Sequence, residues 1–236
     1  MGDIINTNTF EIRYKPNPKA LDYRGAWAEV ISEHLQLPRW RILENRLDVY
    51  NEQTGERAFV GFRNAGYVVH NSQTDNYFAD KIIKFVKFLV TLNGFEKEPF
   101  IERIGVRSIY CKKYKESFEK LKNLYLERYM NLTDAAKKLL DATILDIGGH
   151  VNFADKHGNF NTMSGPMEQK QMNQFFDQEY IGDLPDIGLF FDIDYWLTPK
   201  KQMGPGDISS HINDFSEAAR ERFEQMASHI MEVKNG

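Results

Sequence analysis

The chain has 236 residues, is 42% hydrophobic and 27% charged, and carries a formal net charge of −4 with Lys and Arg scattered among Asp and Glu. That is ample apolar material for a well-buried core, in one large domain or two small ones. The mixed-sign surface argues against a non-specific nucleic-acid coat but leaves room for a local basic patch. The single cysteine, Cys111, rules out an intrachain disulfide, the start at Met1 lacks the basic and apolar pattern of a leader, and the apolar runs are too short to span a bilayer. The expectation is a cytoplasmic protein with no membrane partner.

Alternation of Phe10, Ile12 and Tyr14 with polar neighbours predicts a strand over 9–15, ended by Pro16 and Pro18. Trp27, Val30, Ile31, His34 and Leu35 at helical spacing predict a helix over 23–37, stopped by Pro38. A β-meander follows: a strand over 40–50, a polar loop with Gly55, a strand through Ala58, Val60 and Phe62, a turn at 64–66 and a return over 67–70. Asp75 is a candidate cap for a helix whose stripe is Phe78, Ile82, Phe85, Val86, Leu89 and Leu92.

The second half repeats the plan. A strand is expected over 100–110 and a helix over 114–131 with Phe118, Leu121, Leu124, Tyr125 and Tyr129 inward, then a short helix over 133–140. A strand over 143–153 turns at 155–158 into a return over 159–164, and an irregular insertion occupies 165–186. An apolar strand over 187–197 precedes a long final helix opened by Pro205, with the stripe Ile208, Ile212, Phe215, Ala219, Phe223, Met226 and Ile230. The fold class expected is α+β: a tandem duplication of a β-α-β-β-β-α unit (1–95 and 96–236), with antiparallel sheet and helices on one face. The element order is similar to that of the TATA-box-binding saddle, which implies a pseudo-twofold arrangement and nothing about function.

The strand Arg103-Ile104-Gly105-Val106-Arg107, the strand 189–195 with Asp192 and Asp194 two apart, and a last helix with His211 and Phe215 together resemble a family of uncharacterised bacterial proteins of about this length. Its members are distributed sporadically among genomes. The resemblance implies no activity. Its patchy distribution implies accessory cargo such as a defence module.

Strict alternation sends Ile104, Val106, Leu145, Ile147, Val151, Phe153, Phe191, Ile193 and Tyr195 to the helix side. The open face then carries Arg103, Arg107, Asp146, His150, Asn152, Asp192 and Asp194. These residues form either a lattice of cross-strand ion pairs or a polar ligand site. Asp146, Asp192 and Asp194 could in principle hold Mg²⁺ for phosphoryl transfer, but no phosphate-binding loop accompanies them. His150 and His157 stand too far apart along a hairpin to share an ion, and Cys111 has no local base to activate it. No metal site, cofactor or catalytic residue is therefore assigned. Arg39, Arg41, Arg46, Arg57 and Arg63, interleaved with Trp40, Phe59, Phe62 and Tyr67, could suit single-stranded nucleic acid, although Glu44, Asp48, Glu52 and Glu56 dilute the field. The Met- and Phe-rich insertion favours protein contacts or packs on its own sheet. The leading expectation is a non-enzymatic binding or regulatory protein that acts on another protein encoded nearby. A nucleic-acid-binding open sheet face is the first alternative, and a metal-dependent phosphoryl-transfer enzyme at Asp146, Asp192 and Asp194 is the second.

Overall fold

The computed structural model of the protein describes residues 3–72, 74, 76–131, 138 and 141–232. The Asp75 cap and, Lys138 aside, the helix expected over 133–140 lie outside them. The strands are β1 (Ile4–Tyr14), β2 (Arg39–Ile42), β3 (Arg46–Tyr50), β4 (Arg57–Gly61), β5 (Asn64–His70), β6 (Phe100–Lys113), β7 (Gly149–Ala154), β8 (Asn159–Glu168), β9 (Ile187–Leu197) and β10 (Lys201–Gln202). The helices are α1 (Lys19–Asp22), α2 (Arg24–Leu35), α3 (Tyr77–Leu89), α4 (Phe118–Tyr125), α5 (Gln169–Met172), α6 (Gln178–Ile181) and α7 (Pro205–Met231), with one π-helical turn (Leu126–Met130) extending α4.

All the strands join one ten-stranded sheet in the order β2-β3-β4-β5-β1-β6-β9-β8-β7, with β10 added beside β6. Every pairing is antiparallel. At its centre β1 and β6 run side by side, with Phe10 opposite Val106 and Ile12 opposite Ile104. Period-2 alternation puts these four side chains on one face, where they are fully buried. The 3.6-residue stripes of α3 and α7 close over that face, burying Ile82, Phe85, Phe215 and Phe223. A single apolar core runs from Phe10 in β1 to Ile230 in α7, and Tyr110 of β6 stacks on Phe223 at 4.5 Å. Among the described residues no helix is long and apolar enough to cross a membrane.

Several expected boundaries move, each for a local reason. The strand expected over 40–50 is a hairpin of β2 and β3, because Leu43 N–H donates to Arg46 O at 2.8 Å across a tight turn. The turn expected at 64–66 lies inside β5. Gly66 is needed there for close approach: a Cβ would meet Phe59 Cζ at 2.4 Å and Phe10 O at 2.3 Å. The helix expected from 114 begins at Phe118, where the Ser117 hydroxyl caps it by accepting from Lys120 N–H. β7 starts only at Gly149, so Leu145 is not inward but 79% exposed. Val151 and Phe153 are not core residues either. β7 is the sheet edge, α4 packs on β8, and Phe153 stacks on Phe160 at the rim.

The helices are not confined to one face. The insertion begins after Glu168 rather than at Gly165, since β8 extends that far. It folds back over the opposite face, fastened by Gln169 N–H to Asp186 O and by Gln169 Nε2 to Leu184 O. Met172, Phe176, Ile181 and Leu184 make a second small core there with Ile109, Cys111 and Phe190. The apolar side chains that suggested an adaptable contact surface are consumed by the protein's own sheet.

Candidate functional site

Away from the strap formed by the insertion, the face opposite α3 and α7 is polar, and the register decides which side chains meet. In the second half Arg107 stands opposite Asp194, and Asp192 lies two residues along β9 on the same face. Arg107 Nε donates to Asp192 Oδ1 at 2.9 Å and its Nη2 to Oδ2 at 2.6 Å, a bidentate fork. Arg103 Nη2 donates to both oxygens of Asp194, at 3.3 and 3.0 Å. The hydrogen bond to Asp192 holds the Arg107 guanidinium above its ordinary pKa. Burial pushes the Asp194 carboxyl up despite the Arg103 charge. These four side chains are an ion-pair lattice, with each aspartate engaged by an arginine.

The first half is built differently. Asp48 of β3 is 0% exposed and stands opposite Arg41 on β2 and Phe59 on β4. Arg41 Nε and Nη2 both donate to Asp48 Oδ2, at 3.0 and 2.9 Å. Arg46 Nε lies 3.0 Å from Oδ1, an ion pair by distance. That approach is poorly aligned for a hydrogen bond, and Oδ1 is otherwise unsatisfied. Arg57 of β4 makes no ion pair among the described residues, and burial lowers its pKa while Asp48 acts on it only through space. Arg39 faces only the exposed Glu52, at 3.5 Å. Arg41, Arg46 and Arg57 therefore crowd one buried carboxylate, and their charge exceeds what it supplies. This half of the face lies outside the small core that the strap forms.

Where the strap ends, Tyr180 of α6 crosses to the first half. Its ring packs on His70 at 5.3 Å and against Gly55, whose φ of +68° and lack of a Cβ admit it. His70 Nδ1 lies 3.2 Å from the Thr7 hydroxyl, and burial lowers its pKa.

The other expected residues are dispersed. Asp146 precedes β7, its Oδ1 accepting from Ile147 N–H and its Oδ2 from Gln171 Nε2. No group of three His, Cys, Asp or Glu among the described residues is placed to hold a metal ion, so Asp146, Asp192 and Asp194 do not form one. His150 lies exposed on β7. Arg63 is in the β4–β5 turn beside Phe62, apart from the arginines around Asp48. Cys111 is fully buried against Met172, and burial pushes its thiol up to about 12. The turn at 155–158 closes as expected, with Asp155 Oδ1 accepting from His157 and Gly158 N–H.

The sequence reading missed Asp48, His70 and Tyr180 as site residues. Asp48 had a signal: a charge between Leu47 and Val49, both buried, must be paired wherever it points. Tyr180 had none, since its partner is more than a hundred residues away.

On the helix side, a cavity of about 400 Å³ opens between α3 and α7 at the end of β1. Asn6 and Asn8 line it, where Asn8 Nδ2 donates to Asn6 Oδ1 and Ser72 Oγ and Asn6 Oδ1 also accepts from Ser72 N–H. Compared with known proteins, the chain matches no family model and no curated protein.

Proposed function

We propose that the protein is a non-enzymatic binding protein that engages an acidic region of another protein through the arginine-rich half of its open sheet face. The observation that carries this reading is the surplus of Arg41, Arg46 and Arg57 around the single buried Asp48, with Arg39 on the same strand as Arg41 held only by the exposed Glu52. Guanidinium groups that outnumber their carboxylates are costly to gather unless a partner supplies the missing counter-charge. Single-stranded nucleic acid is the weaker candidate, because Phe59 and Tyr67 are buried and leave few rings for base stacking. The likeness to a sporadic bacterial family supports an accessory or defence setting. The proposal also takes the two halves as copies about a pseudo-twofold axis, supported by the matching outward orders β1, β5, β4, β3 and β6, β9, β8, β7. Superposing 9–92 on 100–230 should then match these strands and both main helices.

The test is affinity capture from the native cell, after nuclease treatment, with the parent chain and Arg41→Glu/Arg57→Glu. The expected result is one protein retained by the parent, released by salt and lost in the folded double variant. Equal capture by both would sink the reading. Tight, steeply salt-dependent binding of short oligonucleotides by the purified chain would establish the nucleic-acid alternative instead.

A further inference from the structure

We propose that β2 is a docking edge, to which an extended partner segment that alternates acidic and apolar side chains adds as a further strand. The inference rests on the reading of the arginine face above and names how the partner engages it. β2 is the outermost strand at its end of the sheet and is paired only with β3. All four of its residues are exposed.

The register fixes which backbone groups are free. Leu43 N–H donates to Arg46 O, so the pair 43–46 is hydrogen-bonded. In an antiparallel ladder, bonded and non-bonded pairs alternate. Arg41 opposite Asp48 and Arg39 opposite Tyr50 are therefore bonded inward to β3. Ile42 and Trp40 direct their N–H and C=O groups outward, where an added strand would bond them.

The side chains define the occupant. Arg39 and Arg41 stand on the open face, 64% and 51% exposed, and ask for carboxylates in the cross-strand positions. Trp40 and Ile42, 49% and 42% exposed, point to the other face and ask for apolar partners. A second copy of the chain does not fit. Pairing β2 with another β2 would bring arginine rows together, and like charges across strands repel. Pairing β2 with β7 of another copy would meet His150 and Asn152, neither of them acidic, and would propagate head to tail without closing.

The probe is a capped peptide of about eight residues alternating glutamate and valine, titrated into the full chain while tryptophan emission is followed. Trp40→Phe identifies the signal, since Trp27 is buried and Trp196 lies on β9, at a distance across the sheet from β2. A saturable blue shift is expected, abolished by Arg39→Glu/Arg41→Glu and absent with the lysine–valine peptide. Ile42→Pro, which removes an outward donor and leaves the bonds to β3, should weaken binding by roughly tenfold. Ile42→Ala, which keeps that donor, should weaken it by only about threefold. Equal binding by Ile42→Pro and Ile42→Ala overturns strand addition, while loss of capture by Arg41→Glu/Arg57→Glu would still uphold the arginine face. No blue shift, equal binding of the lysine peptide, or a dimer in sedimentation that Ile42→Pro dissolves each overturns the inference. None of these outcomes decides the capture experiment.

Discussion

At the scale of single residues, the two arginine–aspartate pairs of the second half look alike in sequence and differ in energetics. Asp192 is nearly buried and receives a two-pronged fork from Arg107. Asp194 is reached through one nitrogen of Arg103, and burial of its charge outweighs that attraction. Losing a charge-assisted fork costs more than losing a pair whose desolvation was nearly as large as its gain. Asp192→Asn should therefore destabilise the fold by about 1–2 kcal/mol and Asp194→Asn by less than about 1 kcal/mol, read from urea midpoints at neutral pH. The reverse order would show that the Arg103 pair, not the Arg107 fork, anchors this face. Added Mg²⁺ or Mn²⁺ should leave the melting temperature of the parent unchanged, because the arginines already occupy both carboxylates.

At the scale of elements, the strap makes a pH-dependent contact. Burial lowers the His70 pKa in the folded protein, with a smaller opposing contribution from Asp177. A histidine that resists protonation when folded, but takes a proton near pH 6.5 when unfolded, costs stability as pH falls below about 6.5. The loss grows until the lowered folded value is reached, and above about 7 the contribution is flat. Tyr180→Ala removes the ring over His70, so the imidazole should titrate closer to its ordinary value and the acid-side loss should shrink. His34, lowered by burial and by Lys84, contributes with the same sign and is untouched by that change. NMR titration of His70 in both proteins checks this, and an unchanged midpoint would show that the strap does not desolvate it. Elements of this kind mark where sequence reasoning ran out. The stripes of α3 and α7 and the run of β9 were legible because each is long and keeps one period. The β2–β3 hairpin was hidden, although Trp40 and Ile42 fall on even positions and the buried Leu47 and Val49 on odd ones, a parity break that a turn must absorb. The face on which the strap lies was not legible at all, because Met172 and Phe176 choose it through Cys111 and Phe190, which are distant in sequence.

At the scale of the molecule, the sequence offered two halves, and the packing fuses them. β1 and β6 share a ladder from Ile4 opposite Lys112 to Tyr14 opposite Ile101, longer than any other junction of β1. α3 of the first half packs on α7 of the second, and Phe85 and Phe215 belong to one apolar core. A half cut away at residue 95 would expose the long β1 edge and one flank of α3, surface that an isolated domain of that size cannot leave open. Unfolding should then be a single cooperative event despite the two halves expected from the sequence. Trp27 reports on the first half from α2, and Trp196 reports on the second from β9. With Trp40→Phe in the background, Trp27→Phe and Trp196→Phe each leave one reporter, and their urea transitions should share one slope. Each substitution costs some stability, the buried Trp27 more than the part-exposed Trp196. The decisive comparison is therefore, within each variant, fluorescence against the backbone signal at far-ultraviolet wavelengths. Coincident curves in both variants place the two halves in one folding unit. A fluorescence transition that precedes the backbone transition in one variant and follows it in the other would show halves that melt separately, joined only at β1 and β6.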